Sequence, residues 1–166
     1  MLRFSTLVFL GAAWCGSATL AMSARPAHAG DVSAPAFSVR TLDGKTVRLS
    51  DFKGKPVVVD FWATWCQPCR ASMPHLNAMQ DSYGARGLVI LGLSIDDQPA
   101  TVVRRYASSL GIRFRLAMAD DQVLDDYVPI RSIPTTIFIN RRGEVVRRVV
   151  GYIDRETLET YIKEVL

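Results

Sequence analysis

The chain has 166 residues, enough for one ordinary domain plus a short extra segment. It is 49% hydrophobic, so a sizeable core can be buried, and its formal charge of +4 is mildly basic. Its Arg104-Arg105, Arg141-Arg142 and Arg147-Arg148 doublets read as solvated faces, and there is no basic tail or aromatic-interleaved basic patch, which speaks against a nucleic-acid partner.

Residues 1–29 stand apart. One early charge, Arg3, precedes an apolar run from Phe4 to Met22 that carries no acid, and Ala27-His28-Ala29 offers an A-x-A cleavage site. This reads as a secretory signal peptide, with a retained membrane anchor as the alternative. Cleavage would remove Arg3 and Arg25 and no acid, taking the charge from +4 to +2. It would also remove Cys15 and His28, leaving Cys66, Cys69 and His75. Residues 30–166 are then the folded domain.

Residues 30–35 are a small, polar lead-in. Phe37 to Leu42 and Thr46 to Leu49 flank Asp43-Gly44 and predict a hairpin. Val57 to Trp62, "VVVDFW", is a continuous β-branched run, the pattern of a strand buried on both faces. A helical pattern follows through Tyr83, interrupted by Pro74. Leu88 to Ile95 is a second buried strand, and Ala100 to Gly111 is an amphipathic helix that Gly111 stops. Asp120 to Val128 is a short helix or turn. Thr135 to Asn140 and "EVVRRVVG" form a late hairpin, and Asp154 caps a last helix. The order predicts a mixed α/β sheet covered by helices, parallel in the middle and antiparallel at the late hairpin.

The chemistry concentrates in "ATWCQPC". A zinc site needs about four ligands, and neither a second C-x-x-C nor paired histidines are present. His75, alone and after Pro74, reads as a surface residue. Two thiolates suit Cu(I), so a non-enzymatic copper carrier is one alternative. A structural staple is another, but a loop this short stabilises little. Redox exchange fits best. Cys66 falls where a buried strand ends and a helix begins, and helix N-terminal N–H groups favour a thiolate. Cys69, one turn on, can resolve a mixed disulfide, and Pro68 suits a first helical turn. No cofactor and no metal are needed. Asp60, inside the buried run, is a candidate proton acceptor for Cys69, because burial raises a carboxyl pKa.

"VVVDFWATWCQPC" with "SIPTT" about 65 residues later resembles the thioredoxin superfamily, and the flanking segments are similar to its exported TlpA/ResA-like branch. The resemblance implies a thioredoxin fold with an extra N-terminal β-hairpin. It implies that Cys66 attacks and Cys69 resolves, and that a cis Ile133-Pro134 bond lies against them. Trp65, Gln67, Pro68, Ile133 and Pro134 would then meet the substrate, while Trp62 packs in the core and Pro74 kinks the helix. Two positions depart from the branch. Ser72 stands where several members carry an active-site glutamate, and Gly92 aligns where thioredoxins keep a lysine near the strand aspartate. Asp60 would then lack a cationic partner.

Gln67-Pro68 carries no charge, which favours a reducing couple, and Asp60 acts in the same direction. The expectation is an exported reductase of protein disulfides, monomeric by default. Its clients would be apocytochrome c or copper-site cysteines. The resemblance implies re-reduction by a membrane thiol transporter of the DsbD/CcdA kind. A thiol peroxidase is the competing enzyme, although it calls for an Arg-activated cysteine without a C-x-x-C partner.

Overall fold

The computed structural model describes residues 32–128 and 132–166, so the expected leader lies outside the described residues. Six strands form one sheet in the order β1-β8-β7-β4-β5-β6. These are β1 (Val32–Ser33), β4 (Val57–Trp62), β5 (Val89–Ser94), β6 (Arg115–Met118), β7 (Thr135–Ile139) and β8 (Glu144–Val150). The hairpin β2 (Ser38–Arg40) and β3 (Thr46–Arg48) is a separate two-stranded sheet. The helices are α1 (Gln67–Tyr83), α2 (Ala100–Ser109), α3 (Asp121–Tyr127) and α4 (Arg155–Val165).

The β4-β5 and β5-β6 pairs are parallel, whereas β7 is antiparallel to both β4 and β8. Thus the carboxyl ends of β4, β5, β6 and β8 share one edge of the sheet with the amino end of β7.

Every residue of β4 is buried, and its side-chain alternation feeds two cores. Val58 and Trp62 join Met73, Leu76, Val103, Leu158 and Ile162, which places α1, α2 and α4 on that face. Val57, Val59 and Phe61 join Phe37, Phe52, Val123 and Tyr127, so the hairpin and α3 cover the other.

Sequence pattern does not announce two of the strands. β6 exposes or half-exposes three of its four residues, and β1 exposes both of its own, so neither carries a burial pattern. The helical pattern expected to be interrupted by Pro74 is one helix that runs through it. Pro74 sits on the exposed side of the helix, where the backbone bond its ring removes is tolerated. Gly111 takes a positive φ of 68° just beyond α2, as a left-handed helix stop requires.

Candidate active site

The site begins with a tight turn. Cys66 donates its N–H to Ala63 O at 3.1 Å, leaving Thr64 and Trp65 at the turn's centre. Cys66 is extended (φ −83°, ψ 101°) and caps α1, with its Sγ accepting the Cys69 N–H at 3.2 Å. Pro68 falls in the first helical turn, where its missing N–H costs nothing. Cys66 and Cys69 are joined by a disulfide with Cα atoms 5.3 Å apart. Both sulfurs are largely covered, whereas Gln67 and Pro68 are exposed and Trp65 is 68% exposed. Trp65 therefore stands in solvent beside the pair, and Trp62 is wholly buried.

Strand β7 brings the second group. The Ile133-Pro134 peptide is cis, Pro134 is buried and Ile133 half-buried. Pro134 O accepts the Gly151 N–H at 2.8 Å, tying the end of β8 to the start of β7. Since β7 neighbours β4, these residues share the sheet edge with the cysteines.

Asp60 lies on the α1 face of β4, in alternation with Val58 and Trp62. It is 1% exposed. Its cross-strand neighbours are Gly92 on β5 and Thr136 on β7. Thr136 donates its hydroxyl to Oδ1 at 2.8 Å, and Oδ2 has no partner among the described residues. Burial pushes the carboxyl up to about 7, against the smaller opposing effect of the Thr136 hydrogen bond. No cation pairs with it among the described residues. Gly92 is opposite, in a tightly packed spot. A Cβ there would meet Leu116 Cδ2 at 2.6 Å, Phe114 Cε2 at 3.0 Å and Trp62 Nε1 at 3.2 Å. Ser72 is buried and donates to Cys69 O at 2.9 Å, so it braces the first turn of α1.

His75 departs from the surface reading. It is half-buried, its Nδ1 is buried without a partner among the described residues, and its ring meets Tyr152 edge-on at 6.0 Å. Among the described residues, no group of three or more His, Cys, Asp and Glu is arranged to hold a metal. A cleft of about 820 Å³ lies at the other end of the sheet, between the β2-β3 hairpin and α2, and none of the site residues lines it.

Sequence reasoning does not single out Thr64, Asp96 or Tyr152. Only Asp96 leaves a trace, as an acid directly after a buried strand.

A model of the AhpC/TSA family matches residues 30–148. The chain belongs to this family. Within it, the chain is 34% identical over 132 residues to "Thiol-disulfide oxidoreductase ResA" of Bacillus thuringiensis (strain Al Hakam), covering 80% of this chain and 76% of that protein. It is 33% identical over 130 residues to ResA of Bacillus subtilis (strain 168), covering 78% and 72% respectively. Among solved structures, a putative thiol:disulfide interchange protein DsbE from Chlorobium tepidum superposes with a TM-score of 0.75 at 32% identity. That superposition covers 82% of this chain and 96% of the other. This AhpC/TSA-family protein has the thioredoxin fold and is a thiol-disulfide oxidoreductase of the ResA-like kind.

Proposed function

We propose that this protein is an exported reductase of protein disulfides, with residues 1–29 as a cleaved leader and 30–166 as the working domain. One observation carries the reading: Cys66 caps α1 with the Cys69 N–H on its sulfur, and Asp60 is buried on the α1 face of β4 with no cation paired to it among the described residues. In the reduced protein the same N–H groups favour a Cys66 thiolate.

The Cys66 thiolate attacks one client sulfur. A Cys66–client disulfide forms, the client disulfide breaks, and the departing client thiolate takes a proton from water. Cys69 then gives its proton to Asp60 and attacks Cys66 Sγ. The client's second sulfur departs as a thiolate that takes a proton from water, so the client leaves two electrons richer, and the Cys66–Cys69 disulfide closes. Asp60 suits this step because a carboxyl near 7 accepts a proton at working pH without holding it too firmly. Trp65, Gln67 and Pro68 are exposed around the pair and would meet the client, together with Ile133 and Pro134 just before β7.

Clients with an oxidised C-x-x-C site, such as apocytochrome c or copper-site proteins, fit this chemistry. A membrane thiol transporter of the DsbD/CcdA kind would return the two electrons. No helix among the described residues is long and apolar enough to cross a membrane.

Equilibration with a dithiol buffer tests the direction. A reductase requires a potential near the thioredoxin value, about −270 mV, and a value near that of the oxidant DsbA, about −120 mV, overturns the reading. Cys69→Ser should trap the client on Cys66, whereas Cys66→Ser should trap nothing.

A further inference from the structure

The mechanism leaves one buried carboxyl unused. Asp96 is 7% exposed and follows the carboxyl end of β5, the strand beside β4. Its Oδ2 accepts the Thr64 N–H at 2.9 Å and the Ser94 hydroxyl at 2.7 Å. Its Oδ1 accepts the Thr64 hydroxyl at 2.6 Å and a longer contact from the same N–H at 3.2 Å. The Asp96 N–H in turn donates to Ser94 Oγ at 3.1 Å. No cation joins this cluster among the described residues.

Thr64 is the residue that matters. In the Ala63–Cys66 turn, the Cys66 N–H closes the loop on Ala63 O, and the Thr64 N–H has no acceptor within the turn. Asp96 takes that N–H and the Thr64 hydroxyl together. Strand β5 is itself fixed to β4 here, through the Ile95 N–H on Trp62 O at 2.9 Å. The turn is thus bolted to the sheet two residues before the sulfur that caps α1.

We infer that Asp96 is a positioning residue that clamps the Ala63–Cys66 turn and so holds the Cys66 sulfur on the first turn of α1. This rests on Cys66 being the attacking thiol. The clamp acts through geometry rather than charge. An asparagine preserves it: its Oδ1 keeps the Thr64 N–H and Ser94 contacts, and its Nδ2 donates to a rotated Thr64 hydroxyl. Alanine abolishes it.

The test is the pH profile of iodoacetamide alkylation in the reduced full chain, with the modified cysteine identified by mass spectrometry. Asp96→Ala should move the Cys66 midpoint up by about half a pH unit, roughly a threefold loss of thiolate near neutral pH. Thr64→Val, which keeps the carboxyl and the turn amide, should move it partway. Asp96→Asn should leave it in place. A lower Tm for Asp96→Ala with an unmoved midpoint overturns the inference, since Asp96 then serves stability alone. Downward shifts in both Asp96→Ala and Asp96→Asn also overturn it, because the carboxyl then acts by charge. Should Asp96→Ala fail to fold, an unmoved midpoint in Thr64→Val overturns it. Alkylation at Cys69 in the unaltered protein would instead overturn the choice of attacking thiol. Alkylation at Cys66 with an unchanged profile overturns the clamp alone.

Discussion

Asp60 and Thr136 face each other across the antiparallel β4-β7 pair, and the threonine hydroxyl reaches one carboxyl oxygen while the other is buried with no partner among the described residues. Seventy-six positions separate them in the chain. One hydroxyl is too little compensation for a carboxylate in an apolar core, so the folded protein holds this proton to a higher pH than the unfolded chain does.

That preference makes stability depend on pH. The unfolded carboxyl ionises near 3.8 and the folded one near 7, so the folded state holds a proton that the unfolded chain has released. Stability contributed by this group is therefore full below about 3.8 and is lost as pH rises through about 7. Denaturant melts of Asp60→Asn should match the unaltered protein near pH 4 and exceed it at pH 8 by a few kcal/mol, since each tenfold difference in acidity is worth about 1.4 kcal/mol.

The same substitution should carry a catalytic cost. Without a proton acceptor for Cys69, turnover of a protein disulfide should fall by about a hundredfold. Quenched samples should show the Cys66–client adduct accumulating. An equal fall in the first attack, with no adduct, would remove Asp60 from the resolving step.

Gly92→Ala should be costly although it adds one methyl group. The new carbon would stand 2.6 Å from Leu116 Cδ2 and 3.2 Å from Trp62 Nε1. Overpacking of this kind costs about 2 kcal/mol, a Tm fall of roughly 6 °C in a domain of this size. Leu116 is directly opposite Gly92 on β6 and half-exposed, so Leu116→Ala in the same chain should recover much of the loss.

Trp65→Ala should separate recognition from stability. With 68% of its surface in solvent, the indole contributes little to the fold, and Tm should stay within a degree or two. The KM for a protein client should rise several-fold, while reduction of a small soluble disulfide stays unchanged. Equal losses on both substrates would place Trp65 in the chemistry instead.

Sequence patterning reaches the centre of the molecule better than its margins. β4 is legible because both faces are buried, which forces an apolar run in which a single aspartate is conspicuous. The cysteine spacing is legible because one helical turn joins its two members. β6 is hidden because a four-residue edge strand with one buried side chain has no period to display, and its backbone pairing with β5 decides its form. The Thr64–Asp96 contact is hidden for another reason. It joins positions 32 apart through side chains, and neither periodicity nor propensity encodes such a pairing. His75 reads as a surface residue because nothing near it in sequence marks Tyr152, on a distant loop, as the cover for its ring.

The two partners of β4 come from very different distances along the chain. β5 returns after a single helix, whereas β7 begins at Thr135, after all of β5, α2, β6 and α3. A chain emerging from its amino end thus carries both cysteines and Asp60 well before it carries Thr136 and Pro134. The site is therefore complete only when β7 has joined the sheet, because Thr136 lies in that strand and Pro134 directly precedes it.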